Sequence, residues 1–236
     1  RALRDSFSVP LIAPRSEAPF VETFRRDEGP RNDRYAEALH AHGMPAARVA
    51  SIREESDAID AFLEDCPIDD EPEPELLFGD QPATTLATPG HTPGSTCWLL
   101  DEQVLTGDTL LERITSNAVE LKDDDRGAFH QYVETLDGLR RYVGLEALPG
   151  HHAPFRITDG VLDHHLERHR KRRKHIVDLL DRPKTAWQLF PDVFPGLTGD
   201  DHHFMGMAEI VGHLHSLEID GVIRCTDTDG VRRWST

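Results

Sequence analysis

The chain is most tightly constrained between Thr84 and Thr109, where TTLATPGHTPGSTCWLLDEQVLTGDT sets strand-like runs around a stiff loop. That loop, Thr88-Pro89-Gly90-His91-Thr92-Pro93-Gly94-Ser95, holds one histidine between two Pro-Gly pairs. Proline fixes φ and glycine tolerates positive φ, so the loop holds its imidazole in one place. Thr96 to Leu100 and Gln103 to Thr106 read as a strand pair turning at Asp101-Glu102, and the second run closes on Gly107-Asp108-Thr109. A third loop, Leu148-Pro149-Gly150-His151-His152, follows another short apolar run. Histidine and carboxylate are zinc-type ligands, and strand ends are where layered α/β proteins place their sites. One such residue alone is ordinarily a surface polar group. Three in series, each beside a glycine, are a specific signal.

TPGHTPGS, TGD and PGHH, in that order, resemble the later metal-ligand motifs of the metallo-β-lactamase-fold hydrolases. The resemblance implies that His91 is a zinc-1 ligand, Asp108 the bridging carboxylate and His151 a zinc-2 ligand. It implies two Zn²⁺ ions, with Mn²⁺ or Fe compatible with the same donors. His152 stands where the family often has glycine; His151 is preferred, with His152 left open. The hydroxyls of Thr88, Thr106 and Thr109 are expected to orient the ligands. The implied fold is α/β, a four-layer αβ/βα sandwich.

One departure matters more than these agreements. The family's first motif, His-x-His-x-Asp-His, occurs nowhere in the sequence, and His164-His165 and His202-His203 have the wrong spacing in helical surroundings. Ser8 to Pro14 resembles the segment that follows that motif, and Val9 to Ile12 reads as a short buried strand. The expectation is therefore an N-terminally incomplete sandwich, the alternative being a natural half-site. His91 and Asp108 would serve one ion, Asp108 and His151 the other. Tight zinc takes three or more protein ligands, so weak metal binding and near-inactivity of the chain are expected.

Length and composition fit one large domain plus a small one, at 236 residues and 38% hydrophobic. No apolar run reaches membrane-spanning length, and Arg1-Ala2-Leu3-Arg4-Asp5 shows no signal-peptide pattern. Cys66, Cys97 and Cys225 are scattered without a CxxC pair, which excludes a zinc ribbon and a disulfide framework and points to a reducing cytoplasm. Cys97 reads as a small core residue.

Elsewhere periodicity predicts helices. Gly29-Pro30 reads as a breaker, Asn32 or Asp33 as the cap of a helix ending at Gly43, and Ala46 to Cys66 as a second helix with one acidic face. Phe129 to Leu145 is amphipathic, and Asp163 to Leu180 is a long helix carrying the basic block Arg168 to His175. Thr185 caps a short helix, Asp201 to Ile219 forms another, and Asp227-Thr228-Asp229-Gly230 turns a hairpin. Three helices and a hairpin resemble the C-terminal winged-helix module of one branch of the family. The expected domains are 1–160, metallo-β-lactamase-like, and 161–236, a winged-helix α+β module.

Three functions follow. The first is a metal-dependent hydrolase of a thioester, lactone or similar small acyl substrate. The second is a nuclease of the same fold, and the third a non-catalytic winged-helix protein. The helix that would enter a DNA groove carries Asp200, Asp201, Glu209, Glu218 and Asp220 with no Lys or Arg, which disfavours nucleic acid and suits packing or a homodimer. The basic block reads as a salt-bridged face, or as a phosphate-backbone contact.

Charge gives a further expectation. The formal net charge is −17, and lysine occurs only at Lys122, Lys171, Lys174 and Lys184, a pattern of adaptation to high salt or of an acidic protein from a GC-rich genome. Folding concentrates carboxylates, notably over Arg53 to Asp80, and salt screens them: the Debye length falls from about 30 Å at 0.01 M to about 3 Å at 1 M. The thermal midpoint should rise between dilute buffer and molar KCl; an unchanged or lower midpoint would leave the acidity a solubility feature only.

Overall fold

A computed structural model describes residues 6–18, 28–60 and 67–236. In chain order its helices and strands are α1 (Glu28–Ala41), α2 (Ala46–Asp60), β1 (Glu75–Phe78), β2 (Gln81–Ala87), β3 (Thr96–Leu100), β4 (Gln103–Gly107), α3 (Ala128–Gly138), β5 (Glu146–Pro149), β6 (Phe155–Arg156), α4 (Asp159–Leu179), α5 (Ala186–Val193), α6 (Asp200–Ile219), β7 (Arg224–Thr228) and β8 (Val231–Ser235). They fall into two compact units, each discontinuous in sequence: residues 1–27, 63–116 and 131–166 in the first, 28–62, 117–130 and 167–236 in the second.

The first unit is built on one six-stranded sheet in the order β1 to β6. Gly79, at φ +65°, lets the chain turn tightly between β1 and β2. The β3–β4 pair forms as its sequence predicts, with Trp98 opposite Leu105 and Leu99 opposite Val104. Cys97 and Val104 are buried on one face of the pair and Leu100 on the other. All neighbours are antiparallel except β4 and β5, which run parallel with Leu105 beside Leu148 and Gly107 beside Pro149. Parallel strands need a long crossover, supplied here by residues 108–145. The amphipathic run after Phe129 splits: α3 ends at Gly138, and Leu139–Tyr142 tightens into a 3₁₀ turn. The described residues hold this one large sheet; the second sheet of a four-layer sandwich is not among them.

The expected buried strand at Val9 to Ile12 does not form. Ile12 makes a single bridge to Asp70, and Val9 and Ile12 are exposed. Pro10 and Pro14 leave only three amides between them, too few donors for a ladder.

In the second unit α1, α2 and α4 to α6 close on a core in which Leu39, Ile176, Leu189, Ile210, Leu214 and Trp234 are almost wholly buried. Each such side chain contributes about 1.5–3 kcal/mol. α1 starts earlier than its expected cap. Gly29 and Pro30 lie in its first turn, where a missing N–H costs nothing. Asn32 is therefore helical, and its Nδ2 donates to Asp57 Oδ1 at 2.6 Å, tying α1 to α2. α2 is described to Asp60; the rest of the helix expected through Cys66 lies outside the described residues. Thr185 caps α5 as its sequence predicts: its hydroxyl accepts Gln188 N–H at 3.2 Å, and its own N–H donates to Gln188 Oε1 at 2.9 Å. The β7–β8 turn has positive φ at Asp229 and Gly230, as a two-residue hairpin requires.

A buried carboxylate organises the crossover within this unit. Glu120 is fully buried and accepts Gly127 N–H at 3.0 Å and Phe129 N–H at 2.8 Å, while His215 Nδ1 lies 2.8 Å from its Oε1. His42 packs nearby, its Nε2 3.3 Å from Leu121 O and its ring 6.1 Å from that of His215.

Burial, with the neighbouring His215 and Arg232 charges, pushes the His42 pKa down from 6.5 to about 3. The folded chain thus binds this proton less readily than the unfolded one. The stability is intact above pH 6.5 and is lost as pH falls from 6.5 towards 3. Denaturant unfolding should show about 2 kcal/mol lost to this group between pH 7.5 and pH 5, and His42→Gln should remove that part of the pH dependence.

Candidate metal centre

The first unit brings the three candidate residues identified from sequence to the same edge of the sheet. His91 lies in the β2–β3 loop, Asp108 directly after β4, and His151 directly after β5. His91 Nε2 is 3.7 Å from Asp108 Oδ2, and His151 Nε2 is 3.5 Å from Asp108 Oδ1. One carboxylate thus presents an oxygen to each imidazole.

Local chemistry fixes each group. In the His91 loop Thr88 N–H donates to Ser95 O at 2.9 Å, Thr92 N–H to Ser95 Oγ at 2.9 Å, and Thr135 Oγ1 to Pro89 O at 2.8 Å. Gly90 sits at φ +142°, and a Cβ there would strike the Tyr132 backbone. His91 Nδ1 is 3.0 Å from Ser116 Oγ, which turns Nε2 towards Asp108. Gly150 N–H donates to Gly107 O at 2.8 Å, bringing the β4 and β5 ends together. Any side chain on Gly150 would overlap Asp108 Oδ1. A residue with a Cβ there would have to displace the Asp108 carboxylate.

Asp108 Oδ1 is buried and has no hydrogen-bond partner among the described residues. A buried carboxylate oxygen without a donor is costly, and a cation is the natural partner for it. The donor set of two imidazoles and one carboxylate suits zinc in kind. In number, two ions sharing Asp108 would each have two of these ligands.

His151 and His152 are told apart by geometry. Both are exposed, but His151 approaches Asp108, whereas His152 has left-handed backbone at φ +69°. That conformation favours glycine. The threonines differ from expectation. Thr88 and Thr109 hydroxyls lie 3.3 Å from one another, Thr88 Oγ1 is 3.3 Å from Cys97 Sγ, and Thr106 Oγ1 donates to Leu110 O at 3.0 Å. They bind the loops together beneath the site; Ser116 is the hydroxyl that meets a ligand. Burial pushes the Cys97 thiol up, so it remains a neutral core group. Ser116 and Gly150 were not singled out from sequence: Ser116 lies in an irregular run without periodicity, and a single glycine does not reveal which side chain it makes room for.

No protein-family model matches the chain. Among solved structures, a metallo-β-lactamase family protein from Thermus thermophilus superposes with a TM-score of 0.76 at 23% identity, over 96% of this chain and 71% of that one. A β-lactamase domain protein from Burkholderia ambifaria gives 0.75 at 20% identity, over 84% and 60%. The chain has the metallo-β-lactamase fold. A curated relative is the protein of Bacillus subtilis named Probable polyketide biosynthesis zinc-dependent hydrolase PksB, 29% identical over 78 residues. That match takes in 32% of this chain and 33% of the relative, so the chain covers only about a third of the relative's length.

Within this metallo-β-lactamase fold, an ion with two protein ligands is held weakly. Zinc bound through Asp108 should leave the 236-residue chain on gel filtration, as elemental analysis would show. Two firmly retained ions that vanish in Asp108→Asn would show further ligands. Under saturating zinc, His151→Ala should lower Asp108-dependent binding at least tenfold and His152→Ala much less.

Proposed function

We propose that the centre belongs to a metal-dependent hydrolase acting on a thioester, lactone or similar small acyl substrate. The observation that carries this is the Asp108 carboxylate, its two oxygens turned to His91 and His151. The fold and the zinc-dependent hydrolase relative support it. His91 and Asp108 would hold one ion, Asp108 and His151 the other; zinc suits them best, and Mn²⁺ or Fe is compatible. Bound metal would supply Lewis acidity towards an acyl oxygen and acidify water.

The chain's own groups do the positioning. Ser116 fixes the rotation of His91 and leaves Nε2 for the metal. Gly150 keeps the space that Asp108 occupies. The His151 side chain is 66% exposed, which leaves that side of the centre accessible to a substrate. The Thr88, Thr109 and Cys97 contacts hold two of the ligand loops in register, so the ligand spacing is set before substrate arrives.

A nuclease of the same fold is the second reading, resting on the basic stretch of α4. Within the second unit most of those cations are engaged: Arg170 and Lys171 pair with Glu167, Arg172 with Glu209, Arg173 with Asp220, and Lys174 with Asp178. Paired cations release few counterions on binding a phosphate backbone, which favours the acyl reading. The α5–α6 helices and the β7–β8 hairpin fit a winged-helix-like module whose acidic α6 serves packing or a homodimer.

The test joins residues 1–236 to a segment carrying His-x-His-x-Asp-His and measures zinc-dependent hydrolysis of thioesters, lactones and single-stranded RNA. Acyl hydrolysis that Asp108→Ala lowers at least a hundredfold is the expected result. RNA cleavage with the same dependence would favour the nuclease.

A further inference from the structure

The second unit contains another group of metal-type donors, unrelated to the strand-end motifs. His169 lies on α4, and Glu209 and His213 lie on α6, four residues apart and so on one face of the helix. One donor atom from each of the three lies within 4.8 Å of the other two. His169 and His213 are buried, and the Glu209 side chain is 20% exposed. Phe129 covers both rings, with centroids 4.2 Å from His213 and 5.1 Å from His169. The cover is close, since an ideal Cβ on Gly212 would lie 3.1 Å from Phe129 Cβ.

His213 is the decisive residue. It is 0% exposed, yet neither ring nitrogen has a hydrogen-bond partner among the described residues. Its Nε2 stands 3.8 Å from Glu209 Oε1, too far for a hydrogen bond. A buried polar ring with only this long ion-pair contact is poorly satisfied, and such a group in a folded protein ordinarily marks an ion or water. Two helices that aim an i, i+4 Glu–His pair and a facing histidine at one point are the way bundles build metal sites.

The geometry points to a binding site for one divalent ion of the zinc class, held by His169, Glu209 and His213, with its remaining position open to water. Two imidazoles beside one carboxylate select zinc, cobalt or nickel over the oxygen-seeking magnesium and calcium. Burial lowers the His213 pKa, keeping the ring in the neutral form that ligates.

Arg172 opposes the ion. Its Nη1 donates to Glu209 Oε1 at 2.6 Å, and its guanidinium lies over the Phe194 ring at 4.4 Å. The cation occupies one carboxylate oxygen, so an ion must share Glu209 with it or displace it. Arg172 therefore sets the affinity, weakening binding without removing any ligand.

The experiment is zinc retention by the chain without a histidine tag. After equilibration with micromolar zinc and gel filtration, content is read by elemental analysis, with the visible spectrum of the cobalt form as a second readout. Wild type and Asp108→Asn should each retain one ion, which separates this site from the strand-end centre. His213→Gln and Glu209→Gln should weaken retention at least tenfold with unchanged far-ultraviolet circular dichroism. Arg172→Met should tighten it about tenfold. If His213→Gln fails to fold, the partly exposed Glu209→Gln gives the same answer. Absence of retained zinc in the wild type, or retention indifferent to Glu209→Gln and Arg172→Met, overturns the proposal.

Discussion

The first unit depends on the parallel pairing of β4 and β5. It is the one parallel register among the described strands, and it carries two chain ends out at the same edge of the sheet. Antiparallel neighbours would send their following loops to opposite edges, and Asp108 and His151 could not meet. The Gly150 to Gly107 hydrogen bond extends the pairing past the last ladder residues, and the absence of a Cβ at Gly150 admits the carboxylate. A backbone hydrogen bond and a missing methylene thus decide whether three scattered side chains become a centre.

The sequence showed much of this because the signals were local. Pro-Gly pairs, the Asp101-Glu102 turn and the short β-rich runs each act within a few residues, and β3, β4 and the β7–β8 hairpin form where those signals place them. The Thr185 capping box is equally local. One error was local, and the other came where a distant partner decides. Val9 to Ile12 has strand-forming residues, yet its prolines leave too few donors for pairing. Asn32 has the chemistry of a cap, but Asp57 on the neighbouring helix offered it a better partner. The centre followed the same division. That His91, Asp108 and His151 are candidates was legible from their loops, whereas Ser116 becomes a contact of His91 only after a loop without periodicity has folded.

Histidine serves opposite purposes across the molecule. In the first unit His91 and His151 face a carboxylate at the sheet edge. In the second His42, His203, His213 and His215 are buried among aromatic rings. Burial lowers the pKa of His42 and His213, which favours the neutral ring and lets it pack as an aromatic. His215 sets one ring nitrogen on Glu120, and through it the segment before α3 is fastened. An exposed histidine and a core histidine look the same in sequence. Only the packing around them assigns the role.

The crossover from β4 to β5 also carries residues 117–130 into the second unit before returning to the first. The polypeptide therefore passes between the units several times. No single cut yields two self-sufficient fragments, so each half made alone would lack strands or helices held by the other piece. Chain connectivity also staggers the two units during synthesis: every residue of the first has emerged by 166, whereas the second waits for residues after 166.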